Sequence, residues 1–166
     1  PHKNIKNLVL AYEKLKPKHP KLQLVLAGKK EQYYEELENW LVDRKYTNDI
    51  QITGYVSDEN LTWLYKEAVC YVLPSLSEGF GLPGLEAMSY GCPLVSSNAT
   101  CLPEVYGQAA EYFDPLDIEM MTEKVDKVIC SEVIKKHLIN AGNKQFKKYS
   151  WPKMSKEIHE IIIKYS

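Results

Sequence analysis

Apolar and polar positions along the chain switch repeatedly between a helical and a strand-like period. Ile5, Leu8, Val9, Tyr12 and Leu15 recur at helical spacing, and Pro17 and Pro20 end that helix. The run from Leu22 to Ala27 is short, apolar and closed by Gly28, which predicts a buried strand. A second helix is expected from about Gln32 to Lys45, with Tyr34, Leu37, Trp40 and Leu41 on one face. Ile50 to Thr53 predicts a strand ended by Gly54. Ser57-Asp58-Glu59-Asn60 then caps a helix through Leu61, Leu64 and Tyr65. Val69 to Leu73 predicts a third strand, Pro83 to about Tyr90 a short helix, and Pro93 to Ser96 a fourth strand. Glu111 to Phe113 predicts the last strand. From Asp117 onward the pattern is helical, with a break near Ser150-Trp151-Pro152.

Strands that are apolar on both faces and alternate with helices imply a parallel sheet covered on both sides. The expectation is a single α/β domain over residues 1–166, a Rossmann-like doubly wound sheet with helices on both faces. Ligands of such sheets bind beyond the carboxyl ends of the strands, here the loops after Ala27, Thr53, Leu73 and Ser96. Pro1 stands at the edge of a helical pattern, which suggests a processed product or, the favoured reading, a piece excised from a longer chain.

Composition narrows the function. The formal charge is −1, with 45% apolar and 26% charged residues, which argues against a nucleic-acid partner. No apolar stretch reaches the roughly 18 residues of a membrane span. Cys70, Cys92, Cys101 and Cys130 form no C-x-x-C pair, and no histidine spacing completes a zinc site, so no metal is expected. Unpaired cysteines suit a reducing, cytoplasmic setting.

The chemistry concentrates in Pro74-Ser75-Leu76-Ser77-Glu78-Gly79-Phe80-Gly81-Leu82-Pro83-Gly84-Leu85-Glu86. This loop leaves a strand at its carboxyl end and enters a helix with proline in the first turn. Glycines let a ligand approach the backbone, and the helix start offers unpaired N–H groups and a positive dipole to a diphosphate. Glu78 and Glu86 flank that seat, and a carboxylate can accept two hydroxyl hydrogen bonds from a sugar. Glu86 alone would be explained by the helix dipole, and the glycines alone by a tight turn. Their combination points to a phosphorylated polyol ligand.

Glu78 and Glu86, separated by seven residues, resemble the E-x7-E motif of retaining glycosyltransferases of family 4. The likeness extends over "PSLSEGFGLPGLEAMSYGCPLVSSNATCLPEV" and, beyond it, to "LVLAG", "ITGYVSDENLTWLYKEA" and "YFDPLD". It covers the C-terminal, nucleotide-sugar-binding half of the two-domain GT-B architecture. The resemblance implies that Glu78 contacts the donor sugar as the catalytic residue and that Glu86 binds the ribose. It places the backbone of Gly79, Phe80, Gly81 and Leu82 against sugar and diphosphate, Lys3 on the diphosphate, and Gly54, Tyr55 and Val56 around the nucleobase. Three departures stand out. An upstream arginine lies before Pro1 and His2 occupies the place of another beside Lys3, Gly28 is followed by Lys29-Lys30 and not by a second glycine, which argues against a phosphate role for that loop, and Gly84 stands where a larger apolar residue is common. Gly84 would loosen helix packing or widen the pocket.

The implied substrate is a UDP-, GDP- or ADP-sugar, used without cofactor or metal. The implied acceptor is a glycan or a lipid-linked chain held by an N-terminal domain absent from this sequence, in surface-polysaccharide synthesis. The enzyme would sit in the cytoplasm, the full-length protein peripheral at the inner face of the membrane, and this half alone would bind without turnover. A non-catalytic module that keeps the fold and binds sugar nucleotides remains the alternative. A nicotinamide dehydrogenase is disfavoured, because Gly28-Lys29-Lys30 replaces its glycine fingerprint. The last helix, with Trp151, Ile158, Ile161, Ile162 and Ile163, is expected to pack partly on this domain's own sheet and partly toward the other domain.

Overall fold

The computed structural model describes residues 2–29 and 34–165. Its helices are α1 (Ile5–Leu15), α2 (Tyr34–Val42), α3 (Asp58–Glu67), α4 (Leu82–Ser89), α5 (Leu102–Tyr106), α6 (Ile118–Cys130), α7 (Glu132–Gln145) and α8 (Trp151–Tyr165). Its strands are β1 (Leu24–Ala27), β2 (Ile50–Gly54), β3 (Tyr71–Leu73), β4 (Leu94–Ser97) and β5 (Ala110–Phe113). The start of the second helix expected at Gln32 lies outside the described residues.

The fold is α/β, with parallel sheets flanked by helices. The strands form two hydrogen-bonded ladders, β1-β2 and β3-β4-β5, each parallel throughout. Leu24, Leu26, Cys70 and Val72 share one apolar cluster, so β1 lies beside the region of β3 in the core. A cavity of about 70 Å³, lined by Leu22, Leu24, Cys70 and Val72 among others, lies between them. Apolar packing replaces the missing rungs of the ladder.

Helices cover both faces of the three-stranded ladder. Val95 and Phe113 join Leu8, Leu15, Met121 and Val125 of α1 and α6. Leu73, Leu94 and Ala110 join Leu85, Met88, Leu102 and Tyr106 of α4 and α5. Leu94 and Val95 are fully buried, and a Leu or Val hidden this way contributes about 1.5–3 kcal/mol. The two-stranded ladder is covered on one face. Ile50, with Leu24, Leu26 and Ile52, packs on Val9, Tyr12 and Leu41, whereas Val25, Ala27, Gln51 and Thr53 are exposed.

Among the described residues four helices start on side-chain caps. Ser57, Asp117, Ser131 and Ser150 accept from the backbone N–H groups of Asn60, Met120, Ile134 and Lys153, each typically contributing about 1 kcal/mol. The expected packing of the last helix on its own sheet is not found, because no residue of α8 is buried. Trp151, Met154, Ile158, Ile161 and Tyr165 follow a spacing of three and four residues and form one exposed apolar stripe. The sequence pattern places these residues on a common face, but only tertiary contact could have shown whether this chain covers it.

Candidate functional site

The carboxyl ends of the strands converge on the N-terminal end of α1. Asn4 adopts a left-handed conformation, φ 56° and ψ 33°. Its Nδ2 donates to Pro74 O after β3, at 3.0 Å, and to Pro115 O after β5, at 2.7 Å. The backbone N–H of Leu76 donates to His2 O at 2.8 Å. Lys6 of α1 pairs with Glu36 of α2, which follows β1, and the N–H of Gly28 donates to Gly54 O at 3.1 Å. These bonds gather the loops after β1, β2, β3 and β5 at one edge, the edge that the doubly wound topology assigns to ligands.

At that edge Lys3 Nζ donates to Glu78 Oε1 at 2.8 Å. Ser75, fully buried at the end of β3, donates from Oγ to the same oxygen at 2.7 Å, and Ser97 Oγ donates to Ser75 O at 2.6 Å. Thr100, itself at φ 50°, locks the Glu78 backbone. Its Oγ1 accepts from Glu78 N at 3.2 Å and donates to Glu78 O at 3.0 Å. Oε2 of Glu78 receives no protein hydrogen bond among the described residues, so one carboxylate oxygen is held in place and the other is available to a ligand.

Burial would push the Glu78 carboxyl up, but donation from Lys3 and Ser75 and the nearby His2 outweigh it and hold it below the ordinary carboxylate value. Glu111 is lowered in the same way, with Lys127 and Lys124 overcoming its burial. A carboxylate whose folded pKa is depressed stabilises the fold above its unfolded value, about 4.3 for glutamate, and loses that contribution as pH falls through the folded value. Urea midpoints are therefore expected to be flat from neutral pH to about 5 and to fall below that, with a shallower fall in Glu78→Gln. An unchanged acid slope in that variant would show that Glu78 is not linked to folding.

Beyond Glu78 the N–H groups of Gly79, Phe80, Gly81 and Leu82 donate to no protein acceptor among the described residues. They lead directly into the first turn of α4, whose N-cap is Gly81 at φ 85°. A free run of donors at a helix N-terminus is anion-binding architecture. Glu86 points outward from α4, and the buried Tyr65 hydroxyl approaches its Oε2 at 3.4 Å. Burial, followed by the neighbouring Tyr71 and the Glu86 carboxylate, pushes the Tyr65 phenol up, so it is a neutral hydrogen-bond donor. Tyr65 also stacks on Tyr90, ring centroids 5.9 Å apart, which fixes its position.

The structure thus brings Lys3, Glu78, Gly79, Phe80, Gly81 and Leu82 together and places Glu86 on the adjoining helix. Gly54 is buried at φ 68°, Tyr55 is exposed and Val56 half-buried, at the same edge of the fold. Ser75, Ser97, Thr100 and Tyr65 were not singled out from the sequence, since each acts through a contact distant along the chain or through burial. Gly84 neither loosens packing nor widens a pocket. The Tyr106 ring fills the space where its side chain would stand. A larger cavity, about 460 Å³, lies between α1 and α6, lined by Lys14, Lys18, Asp117 and Glu123 among others. It contains none of these residues and none of the geometry above.

The sequence model of the glycosyl transferases group 1 matches residues 1–145. The chain belongs to that family. Among curated group 1 relatives, the O-antigen chain mannosyltransferase B of Escherichia coli is 38% identical over 155 residues, covering 91% of this chain and 40% of that protein. The serotype-specific mannosyltransferase WbdA of Escherichia coli is 36% identical over 159 residues, covering 91% of this chain and 19% of that protein. The chain therefore spans two fifths or less of these relatives' lengths. Among solved structures, the sucrose-phosphate synthase of Thermosynechococcus elongatus superposes with a TM-score of 0.85 at 21% identity, over 99% of this chain and 42% of that one. The C-terminal domain of a group 1 protein, LpcC, from Francisella tularensis superposes with a TM-score of 0.76 at 23% identity, over 89% and 79% of the two chains. These neighbours share the GT-B type of fold.

Proposed function

We propose that this chain is the donor-binding domain of a retaining, family 4 glycosyltransferase that moves a hexose from a nucleoside diphosphate sugar to a glycan or lipid-linked acceptor. The observation that carries the reading is the juxtaposition of Lys3, the half-engaged carboxylate of Glu78 and the free N–H run 79–82 at the start of α4. The N–H groups and Lys3 would take the charge that builds on the departing diphosphate, the main electrostatic task of such a transfer. Glu78 would position the sugar and Glu86 the ribose, with Gly54, Tyr55 and Val56 beside the base. The names of the relatives favour mannose as the hexose and surface-polysaccharide synthesis as the setting. The acceptor and any general base would belong to a further domain, so this chain alone would bind donor without transferring it. No metal takes part in this reading, because the ammonium and the helix N-terminus supply the positive potential.

Calorimetric titration with UDP, GDP, ADP and their sugar conjugates tests it. One nucleotide is expected to bind in preference to the others, and Glu86→Ala is expected to weaken it by about tenfold, the loss of one charge-assisted hydrogen bond. Equal binding to wild type and variant would remove Glu86 from the site. Absence of binding at millimolar ligand would count against this edge as a complete donor site.

A further inference from the structure

Away from this edge, three side chains of unlike chemistry converge where the α1–β1 turn meets the end of α6. Atoms of His19, Asp126 and Cys130 that can ligate a metal all lie within 4.8 Å of one another. His19 Nε2 stands 2.6 Å from Asp126 Oδ1 and 4.0 Å from Cys130 Sγ, and the sulfur is 3.6 Å from the same carboxylate oxygen. The same ring nitrogen faces both partners. A catalytic triad would use the two ring nitrogens separately, to orient the ring with one and activate the thiol with the other. Here a single nitrogen, a single carboxylate oxygen and the sulfur form a triangle around one point.

We propose that His19, Asp126 and Cys130 bind a divalent cation of the zinc type, with water in the remaining position. Zinc takes imidazole, thiolate and carboxylate in tetrahedral array, with bonds of about 2.0–2.3 Å that set its ligands roughly 3.3–3.8 Å apart. The two sulfur distances already lie near that range, and the nitrogen–oxygen pair has to open by less than about 1 Å to admit the ion. Asp126 and Cys130 are one turn apart on α6 and share a face. His19 lies between Pro17 and Pro20, its N–H donates to Leu15 O and its C=O accepts from Leu22 N, both at 2.9 Å. Asp126 Oδ2 is occupied by the Lys18 ammonium, which orients the carboxylate and leaves Oδ1 to the ion. Cys130 is the one exposed cysteine of the four, the others being half-buried or buried, and it lies where an ion can enter from solvent.

Binding would release the thiol proton of Cys130 to solvent and clip the segment after α1 to the end of α6. Those two helices share a buried face of Leu8, Ala11, Leu15, Met121, Val125 and Val128. The ion is therefore a structural clasp, separate from the edge that carries Lys3 and Glu78, and the proposal stands whatever that edge binds.

The test uses the chain stripped of metal with EDTA, titrated with cobalt(II) and then with zinc(II). One equivalent of cobalt is expected to give tetrahedral d–d bands and a thiolate-to-cobalt charge-transfer band that zinc abolishes. A hundredfold excess of zinc over its Kd is expected to raise the melting temperature by roughly 5–10 °C. Cys130→Ser should remove the charge-transfer band, and both it and His19→Gln should weaken binding at least about tenfold, as loss of a ligand does. Both positions are at least partly exposed, so the variants are expected to fold, and circular dichroism verifies this. No charge-transfer band in wild type, or equal affinity in either variant, overturns the proposal.

Discussion

Gly84→Ala is expected to lower the melting temperature by roughly 3–10 °C, corresponding to about 1–3 kcal/mol of overpacking in a domain of this size. A Cβ at that position would stand 2.4 Å from both Cζ and Oη of Tyr106 and 2.8 Å from Cε1. Ordinary contact requires about 3.5–4.0 Å, so the ring has to move by an ångström or more. It has little freedom to do so. Tyr106 is fully buried, its hydroxyl donates to Gly81 O, and it packs among Leu73, Leu94, Leu102 and Val105. Alanine gains about 0.8–1 kcal/mol of helix propensity over glycine, which offsets part of the clash but not a contact an ångström too short. Gly28→Ala is the control, because a Cβ there meets nothing within 4 Å. Thermal unfolding of the two variants should separate clearly. Equal melting temperatures would mean that α4 and α5 can part without cost, and the close helix packing argued above would fail. Tyr106→Leu combined with Gly84→Ala should be less harmful than the sum of the two, since the removed ring is the obstacle.

The same residue shows where the sequence was legible and where it was not. Period and punctuation located every strand to within about two residues, because they are local properties of the chain. Leu22 lies outside β1, whose pairing with β2 begins at Leu24, and its N–H turns back to His19 O. The helix Leu102–Tyr106 escaped notice, five residues with Pro103 near its start being too short to show a period. The division of the strands into two ladders depends on pairing between distant segments, which alternation along the chain does not encode. The vacancy at Gly84 looked like looseness in one dimension and is a socket for Tyr106 in three. Likewise Lys3 and Glu78 were assigned separately through a family resemblance, and their 2.8 Å contact is a product of the fold. Ser75 stood within the quoted motif, yet its importance lies in being fully buried beneath Glu78. His19 and Cys130, 111 residues apart, share no spacing that a sequence pattern could reveal.

In the full-length protein, Glu78→Gln is expected to reduce transfer by at least about a hundredfold while leaving nucleoside diphosphate affinity equal or higher, a separation that follows from the proposed roles. The amide is nearly isosteric, so Ser75, Thr100 and the neighbouring backbone can keep the loop in place. What disappears is the negative charge and, with the amide oxygen held by Ser75, the acceptor offered to the sugar hydroxyls, because the amide nitrogen that takes the place of Oε2 only donates. Positioning of the sugar against its acceptor suffers, and misplacement by about an ångström can cost a hundredfold in rate. Lys3, meanwhile, loses the carboxylate that now partners it at 2.8 Å, and its ammonium becomes more available to a diphosphate. Lys3→Met should do the opposite and weaken diphosphate binding at low salt, with a smaller loss as salt rises and screens the exposed ammonium. Single-turnover transfer rates and calorimetric affinities on both variants distinguish the roles. If Glu78→Gln weakened nucleotide binding and left the rate of bound donor unchanged, Glu78 would be a nucleotide ligand and not the residue that presents the sugar. If both variants lost both properties together, the Lys3–Glu78 pair would be holding the loop between β3 and α4 in shape, and its charges would have no separate part in the transfer.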